Sequence, residues 1–218
     1  MTARPFVVAI DGPAGAGKST LGRRLAEHFG FAHLDTGALY RATAFLILEQ
    51  AGDPADPVTA IRAAGLVKPR LLADPRLRDE AVSAAASVVA AIPGVRRALL
   101  DLQRNFAVRP PEPAKGAILD GRDIGSVVYP GAELKLFVTA SAEERAQRRV
   151  EELRQQGAAA IFEDVLQDLR ERDARDIERR AAPLSAAPDA TVIDTTTLDA
   201  DAVFESVSSL IARALALR

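Results

Sequence analysis

The chain predicts an α/β fold, a five-stranded parallel sheet flanked by helices, with one helical insert and one charged helical arm. Three observations predict it. Short apolar runs of strand length alternate five times with helical stretches along 218 residues, the order that builds parallel crossover units. A glycine-rich stretch, Gly12-Pro-Ala-Gly-Ala-Gly-Lys-Ser19, stands between the first run and the first helix. Near residues 150–180 the chain becomes densely charged at helical spacing.

Phe6-Val-Val-Ala-Ile10 is apolar throughout, as suits a strand buried on both faces, and the stretch from Thr20 to Phe29 repeats Leu21, Leu25 and Phe29 at helical spacing. The loop between them fits G-x-x-x-x-G-K-[ST], a pattern whose backbone N–H groups and following helix N-terminus cradle phosphate. A plain glycine turn is the alternative. On the phosphate reading, residues Gly12, Pro13, Ala14, Gly15, Ala16, Gly17, Lys18, Ser19 and Thr20 surround the nucleotide phosphates, with Lys18 at the β- and γ-phosphates and Ser19 on a magnesium ion. Without ligand the Lys18 head is expected to face solvent.

Phe31-Ala-His-Leu34 reads as the second strand, Asp35-Thr-Gly37 as a polar turn at its end, and residues 38–50 as a helix with Leu39, Ala42 and Phe45 on one face. In open α/β sheets ligands gather at the carboxyl ends of strands, so this turn and the adjacent Tyr40-Arg41 lie where a second substrate can bind. From Gly52 to about Gln103 four Asp-Pro or Lys-Pro steps cut the chain into short pieces. An inserted lobe is expected there rather than sheet. It contains helices at 80–91 and 95–106, the second with Arg96 and Arg97 near its start, where the helix dipole disfavours cations. Either something there wants positive charge or both arginines are simply solvated.

After a proline-rich loop at 109–113, Ala117-Ile-Leu-Asp120 reads as a strand delivering Gly121-Arg-Asp-Ile-Gly125. Asp120 stands where a strand-end carboxylate can hold the water shell of magnesium, although a turn with solvated charges has the same spacing. Residues 135–140 form the next strand, and Ser141-Ala-Glu-Glu144 is a capping box opening a helix that runs to about Gln156. A second charged helix spans 162–180. Its later half balances Arg170, Arg172, Arg175, Arg179 and Arg180 against five acids, which is either a solvated face or, through Arg172, Arg175 and Arg179 at i, i+3 and i+7, a surface that closes over phosphates. Residues 190–194 and 202–217 read as the fifth strand and an amphipathic closing helix.

Composition narrows the chemistry further. The chain has no cysteine and two histidines, which removes thiolate chemistry and cysteine zinc sites and leaves oxygen ligands for any metal. His28 and His33 lie beside core positions and read as structural. A net charge of -2 offers no general attraction for nucleic acid or an anionic membrane. A core strand begins within six residues of the N-terminus and no apolar run has the length of about 18 residues a membrane span needs, so a cytoplasmic protein is expected.

The motifs Ile10-Asp-Gly-Pro-Ala-Gly-Ala-Gly-Lys-Ser-Thr20, Leu34-Asp-Thr-Gly-Ala-Leu-Tyr-Arg41, Asp120-Gly-Arg-Asp-Ile-Gly125, Glu171-Arg-Asp-Ala-Arg-Asp176 and Ala182-Pro-Leu184 together resemble bacterial cytidylate (CMP) kinases of the nucleoside monophosphate kinase superfamily. The resemblance covers nearly the whole chain. It implies a P-loop kinase fold with core segments at 1–51, 107–150 and 182–218, a monophosphate-binding insert at 52–106 and a lid at 151–181. The insert between Ala63 and Glu80 is shorter than in longer bacterial members, leaving little room for the small extra sheet they carry.

The same resemblance implies that Thr36, Arg41 and Arg96 hold the CMP side, that Ser87 contacts cytosine, and that Arg122 and Asp123 recognise base and sugar. Arg172 and Arg179 correspond to lid arginines at the phosphates and Asp176 to an aspartate at the sugar, which favours the lid over the solvated face. Lys18, Arg122, Arg172 and Arg179 are then the expected catalytic residues. The expected reaction transfers phosphate from ATP, with magnesium, to CMP or dCMP in a monomer that needs no nucleic acid or membrane. Two rivals remain at this point: a kinase of the same scaffold acting on another small molecule, and a nucleotide-dependent switch. The paired strand-end motifs at 35–41 and 120–125 speak against a switch, which needs no second phosphate site.

Overall fold

Strand β1 (Phe6–Asp11) lies at the centre of a five-stranded, wholly parallel sheet, between β3 (Gly116–Gly121) and β4 (Leu134–Thr139), with β2 (Ala32–Asp35) and β5 (Thr191–Asp194) at the edges. The computed structural model describes residues 4–155, 157–179 and 182–217. All six residues of β1 and all six of β3 are buried, which is why both read as continuous apolar runs.

Alternation along β1 divides the core into two. Phe6, Val8 and Ile10 pack with Leu21 and Leu25 of α1 (Lys18–Phe29) and with Val203, Val207 and Ile211 of α8 (Ala200–Ala216). Val7 and Ala9 face the other way, against Leu39 and Phe45 of α2 (Thr36–Leu48) and the helices of the insert. A slip of one residue would exchange the two faces, so the register is strongly held. Each fully buried Leu, Ile or Phe contributes about 1.5–3 kcal/mol.

The insert is helical, comprising α3 (Pro57–Gly65), 3-10 turns at Pro69–Ala73 and Pro75–Arg78, α4 (Glu80–Ala90) and α5 (Pro93–Val108). No strand occurs in it, in keeping with its shortness. Two of the three Asp-Pro steps start helices rather than merely breaking the chain: Asp56 accepts from the N–H of Val58 and Thr59, and Asp74 from that of Arg76. Pro at N1 or N2 needs no N–H there, so Asp-Pro supplies cap and first turn together.

The charged arm comprises α6 (Ala142–Gln155) and α7 (Phe162–Glu178), which pack on each other, and α7 also touches α4. The expected helix ends at Gln156 and Arg180 lie outside the described residues. Only half of the capping box forms: Ser141 Oγ accepts from the Glu144 N–H at 3.1 Å, whereas the Glu144 carboxylate accepts from Arg148 at 2.9 Å and the Ser141 N–H donates to Thr196. A nearby guanidinium outcompetes a neutral amide for the carboxylate. Among the described residues no single helix is long and apolar enough to cross a membrane.

Candidate functional site

Every strand is parallel, so all the strand ends that carry polar motifs open onto one edge of the sheet. At the end of β1 the chain turns through Gly12 at φ 145°, where a Cβ would lie 1.9 Å from the Val138 carbonyl oxygen. Only glycine fits. Gly17, at φ 83°, is the N-cap of α1 and leaves the first N–H groups of that helix without a side-chain cap. These donors face the loop, where the helix dipole favours an anion.

Lys18 departs from the expected solvent-facing position. It is 6% exposed and its Nζ donates to the Pro13 carbonyl at 2.6 Å. Burial, together with Arg122 and Arg172 and against Asp120 and Asp35, lowers its pKa to about 7. Ser19 donates from Oγ to Asp120 Oδ1 at 2.8 Å, joining the loop to the end of β3. Thr20 is exposed on α1.

Asp35-Thr36-Gly37 is not a turn, since Asp35 ends β2 and caps α2 directly, accepting from Ala38 N–H at 3.2 Å. The same carboxylate accepts from Arg41 Nη2 at 2.7 Å and so aims the guanidinium into the site. Burial raises the Asp35 pKa, but the pairing with Arg41 outweighs it and the net shift is downward. Thr36 is buried, with its hydroxyl donating to the Asp120 carbonyl at 2.8 Å.

The two arginines at the start of α5 part company. Arg97 is exposed, whereas Arg96 forms a short ion pair with buried Asp123 and lies over the Tyr40 ring. A cavity of about 230 Å³ adjoins Tyr40, Arg96, Gln103 and Asp123. Asp123 is held from beneath: buried Asp11 accepts from the N–H of Ile124 and Gly125 at 2.7 and 2.8 Å, fixing the π-helical turn Ile124–Val128. Burial, opposed by those two bonds, pushes the Asp11 pKa up to about 6.

From α7, Asp176 accepts from Arg122 Nε at 2.8 Å and Arg179 stands 3.7 Å from its other oxygen. Arg175 crosses to α4, donating to Ser87 Oγ at 3.3 Å. Arg145 of α6 is 4% exposed and bridges the Ala14 carbonyl of the glycine loop to Asp173 of α7, at 3.1 and 2.7 Å. Thus Lys18, Arg41, Arg122, Arg172 and Arg179 border one region between the loop and the insert. Among the described residues, buried N–H groups lack a hydrogen-bond partner at Arg41 Nε, Arg172 Nε and Arg179 Nη2, the last of these standing 3.9 Å from Asp123 Oδ1. Burial, then the neighbouring Arg122, Arg41 and Arg175, lower the Arg172 pKa to about 10 despite Asp176.

Spacing places Arg175 with Arg172 and Arg179 on a face that closes over phosphates, whereas its Nε donates to Ser87; no sequence signal gives Asp11 or Arg145 a role, and His33 reads as structural. Arg145 stands in the first turn of a charged helix, and nothing in that spacing points at the loop 131 residues away. His33 Nε2 lies 2.6 Å from Asp120 Oδ2.

A glycine phosphate loop after the central strand of a parallel sheet, faced by a second basic site at neighbouring strand ends, defines a P-loop kinase. The cytidylate kinase family model matches residues 8–213. A cytidylate kinase of Paramagnetospirillum magneticum is 55% identical over 205 residues, 94% of this chain and 97% of its own. One from Granulibacter bethesdensis is 52% identical over 208 residues, covering 95% and 97%. The chain belongs to the cytidylate kinase family. Its fold is also similar to the crystal structure of an uncharacterized protein from Eubacterium ventriosum, with TM-score 0.52, 13% identity and coverage of 98% and 99%.

Proposed function

We propose that this chain transfers the γ-phosphoryl group of ATP to CMP or dCMP, giving ADP and CDP or dCDP. The observation that carries this reading is the convergence of buried cationic side chains between the two strand-end motifs, with donor groups left over after Asp35, Asp123 and Asp176 have paired. Five cationic side chains converge there, three with buried N–H groups that lack a hydrogen-bond partner among the described residues, and Lys18, Arg172 and Arg179 have pKa values lowered by burial and by neighbouring guanidinium groups. Unpartnered buried donors cost about 1–3 kcal/mol each, which bound phosphates recover. A triphosphate and a monophosphate placed end to end would supply acceptors for these donors.

On this reading the loop from Gly12 to Thr20 seats the ATP phosphates and Lys18 leaves the Pro13 carbonyl to meet them. Arg41, aimed by Asp35, and Thr36 hold the CMP phosphate. Ser87, Arg96, Arg122 and Asp123 receive the base and sugar beside the 230 Å³ cavity, with Asp176 at the sugar. Residues 52–106 act as the monophosphate-binding lobe and 151–181 as the lid, with Arg172 and Arg179 placed over the transferring group. The attacking atom is a phosphate oxygen already ionised at neutral pH, so no general base is required. Catalysis rests on positioning and on neutralising charge by Lys18, Arg122, Arg172 and Arg179.

Magnesium fits the donors present. Ser19 Oγ and Asp120 Oδ1 are hard oxygens 2.8 Å apart beside the loop, and among the described residues no cluster of three or more His, Cys, Asp or Glu forms a protein cage. Such an ion is held by one or two protein oxygens, with nucleotide phosphates and water completing the shell. When bound it neutralises the β- and γ-oxygens. We place the protein in the cytoplasm as a monomer, with no nucleic acid or membrane partner.

The test is ADP release with ATP and magnesium across CMP, dCMP, UMP, AMP and shikimate. Preferential turnover of CMP and dCMP supports the reading. Turnover of another acceptor alone, or acceptor-independent hydrolysis, overturns it.

A further inference from the structure

We propose that His33 is a positioning residue for the magnesium site, holding the carboxylate of Asp120 in the orientation that Ser19 and the ion need. This rests on the reading that Ser19 and Asp120 hold magnesium.

Asp120 is 2% exposed and both its oxygens are engaged from different elements. Oδ1 accepts from Ser19 of α1 at 2.8 Å, and Oδ2 meets His33 Nε2 of β2 at 2.6 Å. An ionised carboxylate only accepts, so Nε2 carries the proton. The last torsion of aspartate is broad when unrestrained. Two donors on opposite oxygens fix its plane, and loss of one leaves a buried oxygen unsatisfied and the plane free to turn.

The backbone makes room for this contact. His33 pairs with Ile118 in the β2–β3 ladder, so its side chain reaches along the same sheet face to Asp120, two residues further on. It passes under α1 at Gly22, where a Cβ would lie 2.9 Å from His33 Nε2. A Cβ at Gly22 would press on the imidazole and push it away from Asp120. Histidine, carboxylate and hydroxyl thus form one chain from β2 through β3 to the first turn of α1, and a partner in this outer position typically affects metal affinity by about 10–100-fold.

The experiment is calorimetric titration of ATP into the full chain, with magnesium and with EDTA, for wild type, His33→Leu, His33→Gln and Ser19→Ala. The readout is the ratio of the two ATP affinities, which involves no turnover. His33→Leu is expected to lower that ratio about tenfold, with ATP affinity in EDTA unchanged. His33→Gln, whose amide N–H₂ stands close to the place of Nε2, is expected to restore most of it, and a packing role would not show that rescue. If His33→Leu does not fold, His33→Ala gives the same reading. A wild-type ratio in His33→Leu, or equal losses in Leu and Gln, overturns the proposal. Ser19→Ala separates the premises: if it keeps the full ratio, the magnesium reading fails and this proposal with it, whereas loss in Ser19→Ala beside a wild-type ratio in His33→Leu removes His33 alone.

Discussion

Arg122 at the end of β3 donates from Nε to Asp176 Oδ2 of α7 at 2.8 Å, joining residues 54 positions apart across the mouth of the site. Burial raises the Asp176 pKa, but Arg122, Arg179 and Arg172 outweigh it and the carboxyl lies below its ordinary value. The ion pair therefore holds the arm down on the sheet while keeping Arg122 in place.

Replacing Asp176 by Asn keeps the shape and removes the charge. KM for CMP is expected to rise about tenfold, equivalent to about 1.4 kcal/mol, with KM for ATP little altered. Steady-state kinetics with each substrate varied in turn checks this, and an effect confined to ATP would reverse the two sites.

Lys18→Met is expected to lower kcat by about 10³-fold, the scale seen when one charge-stabilising donor is removed. Its effect on the ligand-free fold runs the other way. The folded pKa of about 7 lies below the ordinary 10.5, so protonated Lys18 opposes folding. That penalty is complete below about pH 7 and disappears as pH rises towards 10.5. Denaturation across this range is expected to show Lys18→Met more stable than wild type at neutral pH, with the difference shrinking as pH rises.

For Asp11 the folded pKa of about 6 lies above the ordinary 3.8. A raised carboxyl contributes stability that is present below 3.8 and is lost as pH rises through about 6. Asp11→Asn is expected to remove this slope. An amide offers one acceptor oxygen and turns its N–H₂ towards the other N–H, as the protonated carboxyl does with its O–H, so the variant matches the wild type most closely at low pH and lacks the wild type's loss of stability as pH rises through about 6. Urea unfolding at two pH values separates the terms, and KM for CMP rises because the turn carrying Asp123 loosens.

Ser87→Ala is expected to raise KM for CMP about tenfold with kcat for ATP use little changed, since a site built around a hydroxyl loses discrimination when it is removed. UMP and CMP compared side by side provide the readout. Equal kinetics for wild type and variant would mean that Ser87 serves only to receive Arg175, 3.3 Å away.

Local patterns in the chain determined the sheet and the loop: apolar runs of strand length, helical spacing, and glycines that no other residue can replace, Gly12 above all. They also marked Asp120 and the strand-end motifs as chemistry, because parallel strands bring their ends to one edge whatever the details. Which side chains meet was decided only by tertiary structure. The burial of Lys18, the split between Arg96 and Arg97, the bridge from Arg145 to Ala14, the grip of Asp11 on Ile124 and Gly125, and the contact of His33 with Asp120 all join residues distant in sequence. Periodicity reports which face of an element is apolar, but charge pairing depends on the distance and solvent exclusion that packing creates, and neither is written in the spacing of residues along one strand or helix.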